Sequence, residues 1–289
     1  MYTKLAPELF PHTAGEVSDS YRPREIMSQV AQVTFADYQT SVTQALDLIE
    51  AASKLPQDGL IVIKPNLTNS SPPPVTTSVK AVEAIYKYCR AHTQAEIAIG
   101  EGTGAGRTHE VYAALGYGDL AQRYGLRLLD FNRTETVELK NPDALHLKTF
   151  HLPEIARQAY LISVPVLKDH TLAKTTIALK NMFGLAPGKY YADGWNKARL
   201  HNPSTDESVV DVCLYKKPDL SLVDASVALQ GGHLSGRKKH IGRILAAFDP
   251  VAVDTVGSRL LGHEPEWVHY LTLANGRLGS MSDIEILTA

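Results

Sequence analysis

Lys168, Asp169 and His170 follow at once on an apolar run, Tyr160 to Leu167, in the stretch YLISVPVLKDHTLAKTTIALKNMFGLAPGK (160–189). Lys174, Lys180 and Asn181 come soon after, before the turn Gly184…Pro187-Gly188-Lys189. Several cationic and polar groups crowded behind one strand end make a poor core, because an unpaired buried lysine is costly. Such groups either face water or hold an anion. Lys64 and Asn66, which close the run LIVIKPNL, belong to the same set. A lysine is a mobile point charge suited to phosphate or carboxylate. Held among other cations it can also lose its proton and act as a base or a Schiff-base nucleophile.

A second candidate is the turn Gly100-Glu101-Gly102-Thr103-Gly104-Ala105-Gly106-Arg107-Thr108. Glycines let backbone amides approach an anion, and a following helix adds partial positive charge. Gly102, Thr103, Gly104 and Arg107 are therefore candidate ligand contacts; a plain tight turn is the competing reading. No G-K-[ST] follows, so this is not a P-loop, and the spacing does not suit a dinucleotide fingerprint.

Among the carboxylates, Glu101, Asp224 and Asp249 are candidates to hold a divalent cation, Mg or Mn, and Glu101 and Asp254 to move a proton. Asp249, directly before Pro250, also reads as an ordinary helix N-cap. Asp254 lies inside an apolar helix, VAVDTV, and needs a buried partner; a lysine of the cluster would serve. His170 and His233 sit in polar stretches, but no H-x-x-H or H-E-x-x-H spacing supports zinc. No serine nucleophile elbow is present.

These residues need elements to bring them together. Apolar runs at 60–63, 96–99, 126–130, 160–167, 219–224 and 243–249 read as strands, and helical periodicity fills 37–53, 79–92, 208–216 and 250–261. A helix also starts near Thr108, short helices fit 153–159 and 264–276, 135–150 suggests a hairpin, and 283–287 a last strand. Alternating strand and helix signals predict an α/β fold, a mainly parallel sheet with helices on both faces. Ligands in such sheets bind outside the carboxyl ends of the strands. Lys64, Glu101, Asp130, Lys168, Asp224 and Asp249 all close predicted strands, so parallel strands would crowd them on one edge. The expected organisation is one α/β domain over 1–289, with 1–36 irregular, 228–242 a loop, and 189–207 a lid or surface loop.

Composition narrows the function. Hydrophobic residues make up 44% and charged residues 21% of the 289 positions, as in ordinary globular proteins. A net charge of −2 supplies no field to attract nucleic acid. No apolar run reaches the ~20 residues of a membrane span, and MYTKLAPELF shows no signal-peptide core. Two distant cysteines, Cys89 and Cys213, fit a reduced, cytoplasmic setting and cannot build an iron–sulfur cluster within one chain.

The motifs VIKPNL, IGEGTG, VPVLKDHTLAKTTIALKNMFGLAPG, LVDASVALQGGH and AAFDPVAVDTVGSRLLG, in that order, resemble the domain of unknown function 362 family over roughly Leu60 to Gly279. The resemblance maps the family's motif residues to Lys64, Asn66, Glu101, Lys168, His170, Lys180, Asn181, Asp249 and Asp254. Relatives carry a ferredoxin-like iron–sulfur segment, from which this chain departs. The expected function is an enzyme for a small anionic metabolite, with Lys168, His170, Lys180, Glu101 and Asp254 catalytic and Lys64, Asn66 and Asn181 binding. A non-catalytic cofactor carrier or assembly factor is the alternative, and an iron–sulfur-linked redox protein the third reading.

Overall fold

A computed structural model describes residues 27–289. Strand and helix alternate from the start. β1 (Ser28–Thr34) leads to α1 (Tyr38–Leu48), β2 (Leu60–Pro65) to α2 (Val79–His92), and β3 (Glu96–Glu101) to α3 (Thr108–Ala114) and α4 (Tyr117–Tyr124). β4 (Arg127–Asp130) precedes a ribbon of β5 (Thr136–Lys140) and β6 (Thr149–Pro153). α5 (Glu154–Gln158) feeds β7 (Tyr160–Val164), then β8 (Val166–His170) and β9 (Lys174–Thr176). The short helices α6 (Ala178–Asn181) and α7 (Gly188–Tyr191) lead to α8 (Thr205–Tyr215). β10 (Leu220–Gln230) and β11 (Arg237–Ala247) form a hairpin, followed by α9 (Pro250–Leu261), α10 (His269–Ala274) and β12 (Ile284–Thr288).

One ten-stranded sheet carries the order β12-β1-β11-β10-β7-β2-β3-β4, with β8 on β10 and β9 on β8; β5 and β6 form a separate pair. Pairing is parallel from β10 through β7, β2 and β3 to β4, and also for β8 on β10 and β12 on β1. The carboxyl ends of β2, β3, β4 and β8 therefore share an edge. Both faces are covered, which is why the central strands read as unbroken apolar runs. Ile61 and Ile63 pack beneath α1 and α2 with Val42, Leu46 and Ile85. Val62 and Leu161 point the other way, to Leu179, Val209 and Leu271. A third cluster joins Leu167, Ile177, Val223 and Leu245 to Val253 and Val256 of α9.

Several expectations need correction. Of the segment 1–36, residues 1–26 lie outside the described residues, and Ser28–Thr34 is a strand with Val30, Ala31 and Val33 buried. The run 160–167 is two strands, because Pro165 has no amide to donate and β8 turns away to follow β10. The stretch 228–242 is mostly hairpin. Its charged residues, Arg237 to His240, continue the ladder opposite Gln230 to Val227 beyond the apolar core. Asp224 sits inside β10 rather than at its end. β11 runs antiparallel to β10 and β1, so Asp249 emerges at the opposite edge of the sheet.

Candidate functional site

The edge where β2, β3 and β8 end is built on one buried ion pair. Lys64 closes a central strand with no route to water and is fully buried. Its ammonium lies 2.9 Å from Glu101 Oε1 and donates to Glu101 Oε2 at 3.0 Å, Asn181 Oδ1 at 3.2 Å and the Pro65 carbonyl at 3.1 Å. Burial lowers the Lys64 pKa, with Glu101 opposing. Glu101 also accepts the amides of Leu67 at 3.0 Å and Gly102 at 2.7 Å. That carboxylate is fully engaged.

The network continues outward. Asn181 donates to the Lys64 carbonyl at 3.2 Å and Ser163 Oγ at 3.0 Å, and its oxygen accepts Asn66 Nδ2 at 3.1 Å. Asn66 Oδ1 accepts Lys168 Nζ at 2.5 Å, and Lys168 also donates to the Val75 carbonyl at 2.7 Å. Burial pulls Lys168 down to about 7.

Lys180 is carried by α6, whose N-cap residue Ile177 has no side-chain acceptor. Asp254 supplies one from α9, accepting the amides of Ala178 at 2.7 Å and Leu179 at 3.2 Å and the Tyr270 hydroxyl at 3.0 Å. Burial raises Asp254 to about 7. Asp254 thus sits beneath the site, bonded to backbone amides rather than to a lysine. Lys180 Nζ lies 3.6 Å from the centroid of Phe183 and meets no hydrogen-bond acceptor among the described residues. Burial, then the charge of Lys168, brings it down to about 7.

His170 ends β8. Its Nδ1 accepts the amides of Leu172 and Ala173, both at 3.1 Å, so the ring proton is on Nε2. Burial, then Lys180, holds it well below the ordinary imidazole value. His233 and His201 stack on it at 4.3 and 5.9 Å, both brought to about 4 chiefly by burial. All three rings are neutral at pH 7.

The glycine-rich turn borders the cavity and anchors a second segment. Segment 188–201 is fastened to it: Asn196 donates to the carbonyls of Thr103 at 2.9 Å and Gly106 at 3.3 Å, and its amide to Gly104 at 3.1 Å. Lys197, at about 7 through burial, donates to Asn132 Oδ1 at 2.7 Å and to the Ala186 carbonyl. A methyl on Gly102 would overlap the Gly184 carbonyl, so close packing explains that glycine. The Gly102 amide already serves Glu101, and Ala105 N serves Thr68.

A cavity of about 620 Å³ opens over this floor. Asn66, Glu101, Gly102, Gly104, Lys168, His170, Lys180 and Asn181, named from sequence, all line it. Lys64 lies underneath. Thr103 holds the loop through Thr68 and Ala105, and Arg107 points outward to Glu110 at 3.4 Å. Phe183, Lys197, His201, His233, Trp195, Leu172 and Leu234 also line the cavity. The chemistry-rich composition of 189–201 hinted at Lys197 and His201; nothing local marked Asn132 or Phe183.

The cation candidates do not converge. Asp224 accepts Tyr38 Oη at 2.8 Å and Ser226 Oγ at 2.6 Å inside the sheet. Asp249 caps α9 through Val251 N at 2.8 Å and Ala252 N at 2.9 Å, and takes Ser28 Oγ at 2.6 Å. Among the described residues, no group of three or more His, Cys, Asp or Glu side chains is arranged to hold a metal ion. Nor is any helix among them long and apolar enough to cross a membrane.

Fold and site together define an α/β protein with a mostly parallel sheet and a lysine-floored cavity at its carboxyl edge. The chain belongs to the domain of unknown function family DUF362, whose pattern it matches over residues 61–259. It is 27% identical over 223 residues to a thylakoid-associated protein of Synechocystis sp., covering 76% of this chain and 68% of that one. The lactate racemase apoprotein from Thermoanaerobacterium thermosaccharolyticum aligns with a TM-score of 0.46 at 14% identity. That alignment covers 78% of this chain, which spans only 55% of the racemase chain.

Proposed function

We propose that the protein is an enzyme that binds a small anionic metabolite, a carboxylate or a phosphate, in the cavity over Lys168 and Lys180. One observation carries the reading. Among the described residues, Glu101 is the sole carboxylate in the cavity lining, it is already paired with Lys64, and Lys180 has no acceptor. An anion would supply what that ammonium lacks, and a charge-assisted hydrogen bond is worth about 1.5–3 kcal/mol. Lys168 would hold the same group, His170 Nε2–H would donate to it, and Lys197 would face its far part. Lysines held near neutrality beside stacked neutral imidazoles are groups able to move a proton at pH 7, which favours catalysis over storage. Glu101 would keep Lys64 and the Gly102 amide in place. Two buried free thiols, Cys89 and Cys213, accord with work in the cytoplasm.

The test is a thermal-shift screen of carboxylates and phosphate esters, with and without Mg or Mn. A ligand selective for the native state raises the melting temperature by mass action. Lys180→Met should remove the shift and turnover of the identified compound while leaving the unliganded protein folded. If Lys180→Met binds every anion as the parent does, the assignment is wrong.

A further inference from the structure

The lysines around the cavity are not equivalent. Lys64 donates to Glu101, Asn181 and Pro65, Lys168 to Asn66 and Val75, and Lys197 to Asn132 and Ala186. Lys180 donates to none of the described residues, although it is only 7% exposed. Its nitrogen rests on the face of Phe183, which attracts an ammonium but offers no lone pair. Its backbone is fixed, because Asp254 caps α6 from the neighbouring helix.

We propose that Lys180 is a nucleophilic amine that forms an imine with the carbonyl carbon of a small 2-oxo acid. This rests on the anion-binding reading above and names the substrate class. A carboxylate held by Lys168 and His170 Nε2–H would set an adjacent carbonyl beside Lys180. An amine near 7 has roughly half its molecules in the neutral form at neutral pH, with a free lone pair. Lys168 and Lys197 are brought to about 7 as well, but their nitrogens are spent on Asn66 and Val75 or on Asn132 and Ala186; the Lys180 nitrogen, bound to no acceptor among the described residues, is the one left to meet a carbon.

The step balances without a further reagent. The amine lone pair forms the C–N bond while the C=O π pair moves to oxygen. Both amine hydrogens then pass to that oxygen as the carbinolamine loses water, so amine plus carbonyl gives imine plus water. The neutral imidazole of His233, stacked on His170, stands by to relay the proton. The mouth, bordered by Trp195 and Leu234, leaves space for an apolar substituent on the acid.

The experiment is reductive trapping. The full chain is incubated with glyoxylate, pyruvate or phenylpyruvate and cyanoborohydride, then analysed by intact mass and peptide mapping. The expected result is one saturable adduct per chain with at least one of these acids, on Lys180. It should be suppressed by malonate, grow with pH through about 7, and be absent in Lys180→Arg, which keeps the charge. The parent's map stands alone if that variant folds poorly. Labelling scattered over exposed lysines, or an adduct on another residue, overturns the proposal. Thermal stabilisation by malonate and the oxo acids without any adduct overturns the imine and spares anion binding. No stabilisation and no adduct overturns both.

Discussion

Lys64 and Glu101, thirty-seven positions apart, meet at 2.9 Å with both side chains out of reach of water. Removing one partner leaves an uncompensated buried charge, which costs about 3–5 kcal/mol. Glu101→Gln and Lys64→Met should each lose that much in denaturant unfolding. The double variant should lose clearly less than the sum, since neither charge is then stranded. Additive losses would mean that the two residues stabilise the fold independently.

That pair also marks what sequence could and could not reveal. Each residue ends an apolar run, so parallel strands place both on one edge; the inference needs only local pattern plus the rule for parallel sheets. The helix at roughly 79–92 was legible because its apolar spacing is regular and capping residues precede it, of which Ser78 is the one that caps. Strand direction carries no local signature. RILAAFD looks like the other strand ends, yet β11 is antiparallel and takes Asp249 to the far edge. Asp254 was legible as an anomaly, a carboxylate in an apolar helix, but its partners are amides, and backbone groups are invisible in residue types. In the glycine turn, close packing and anion binding demand the same residue, so residue type alone does not separate them.

Gly184 offers a test of that packing. An added Cβ would overlap Glu101 Oε1 and crowd Lys64 Nζ, and neither can move without breaking the pair. Gly184→Ala should therefore destabilise about as much as losing the ion pair and should abolish anion binding. Gly118→Ala, inside α4 with nothing near its Cβ, should be neutral or stabilise by up to about 1 kcal/mol. Equal melting temperatures for the two variants would contradict the close approach of Gly184 to the pair.

Asp254 reaches the cavity only through α6. Asp254→Ala strips the amides of Ala178 and Leu179 and should cost about 2 kcal/mol, as lost caps and unsatisfied buried donors do. Because Lys180 rides on that turn, anion affinity should fall as well, measured well below the melting temperature. Tyr270→Phe removes the hydroxyl's contacts with Asp254 and Thr175, leaves the cap amides bonded, and should lower stability while leaving affinity near that of the parent. Unchanged affinity in Asp254→Ala would separate the cap from the site.

Stability should rise with pH above neutrality. Lys168, Lys180 and Lys197 stand at about 7 in the native state against an ordinary 10.5. Between those values the unfolded chain binds more protons than the folded one, so unfolding becomes harder as pH increases. Each lysine contributes up to about 1.4 kcal/mol per pH unit. The window is best read from pH 7 to 9, below the ordinary thiol value of 9.0, because buried Cys89 and Cys213 pull the other way above it. On the acid side His170, His201 and His233, all depressed, withdraw stability as pH falls from 6.5 toward 4. Asp254, raised to about 7, opposes them there together with Asp206 and Asp224, both also raised by burial, since a carboxyl held protonated in the folded state gains on folding as pH drops. A saturating anion should flatten the alkaline slope, because a negative charge held by Lys168 restores its affinity for protons. Binding at pH 8 should accordingly take up protons, seen as a buffer-dependent heat in calorimetry. A denaturation midpoint that stays level or declines from pH 7 to 9 without ligand would show these ammonium groups to be hydrated like surface lysines, and a cavity floored by hydrated lysines would have no unmet demand for an anion.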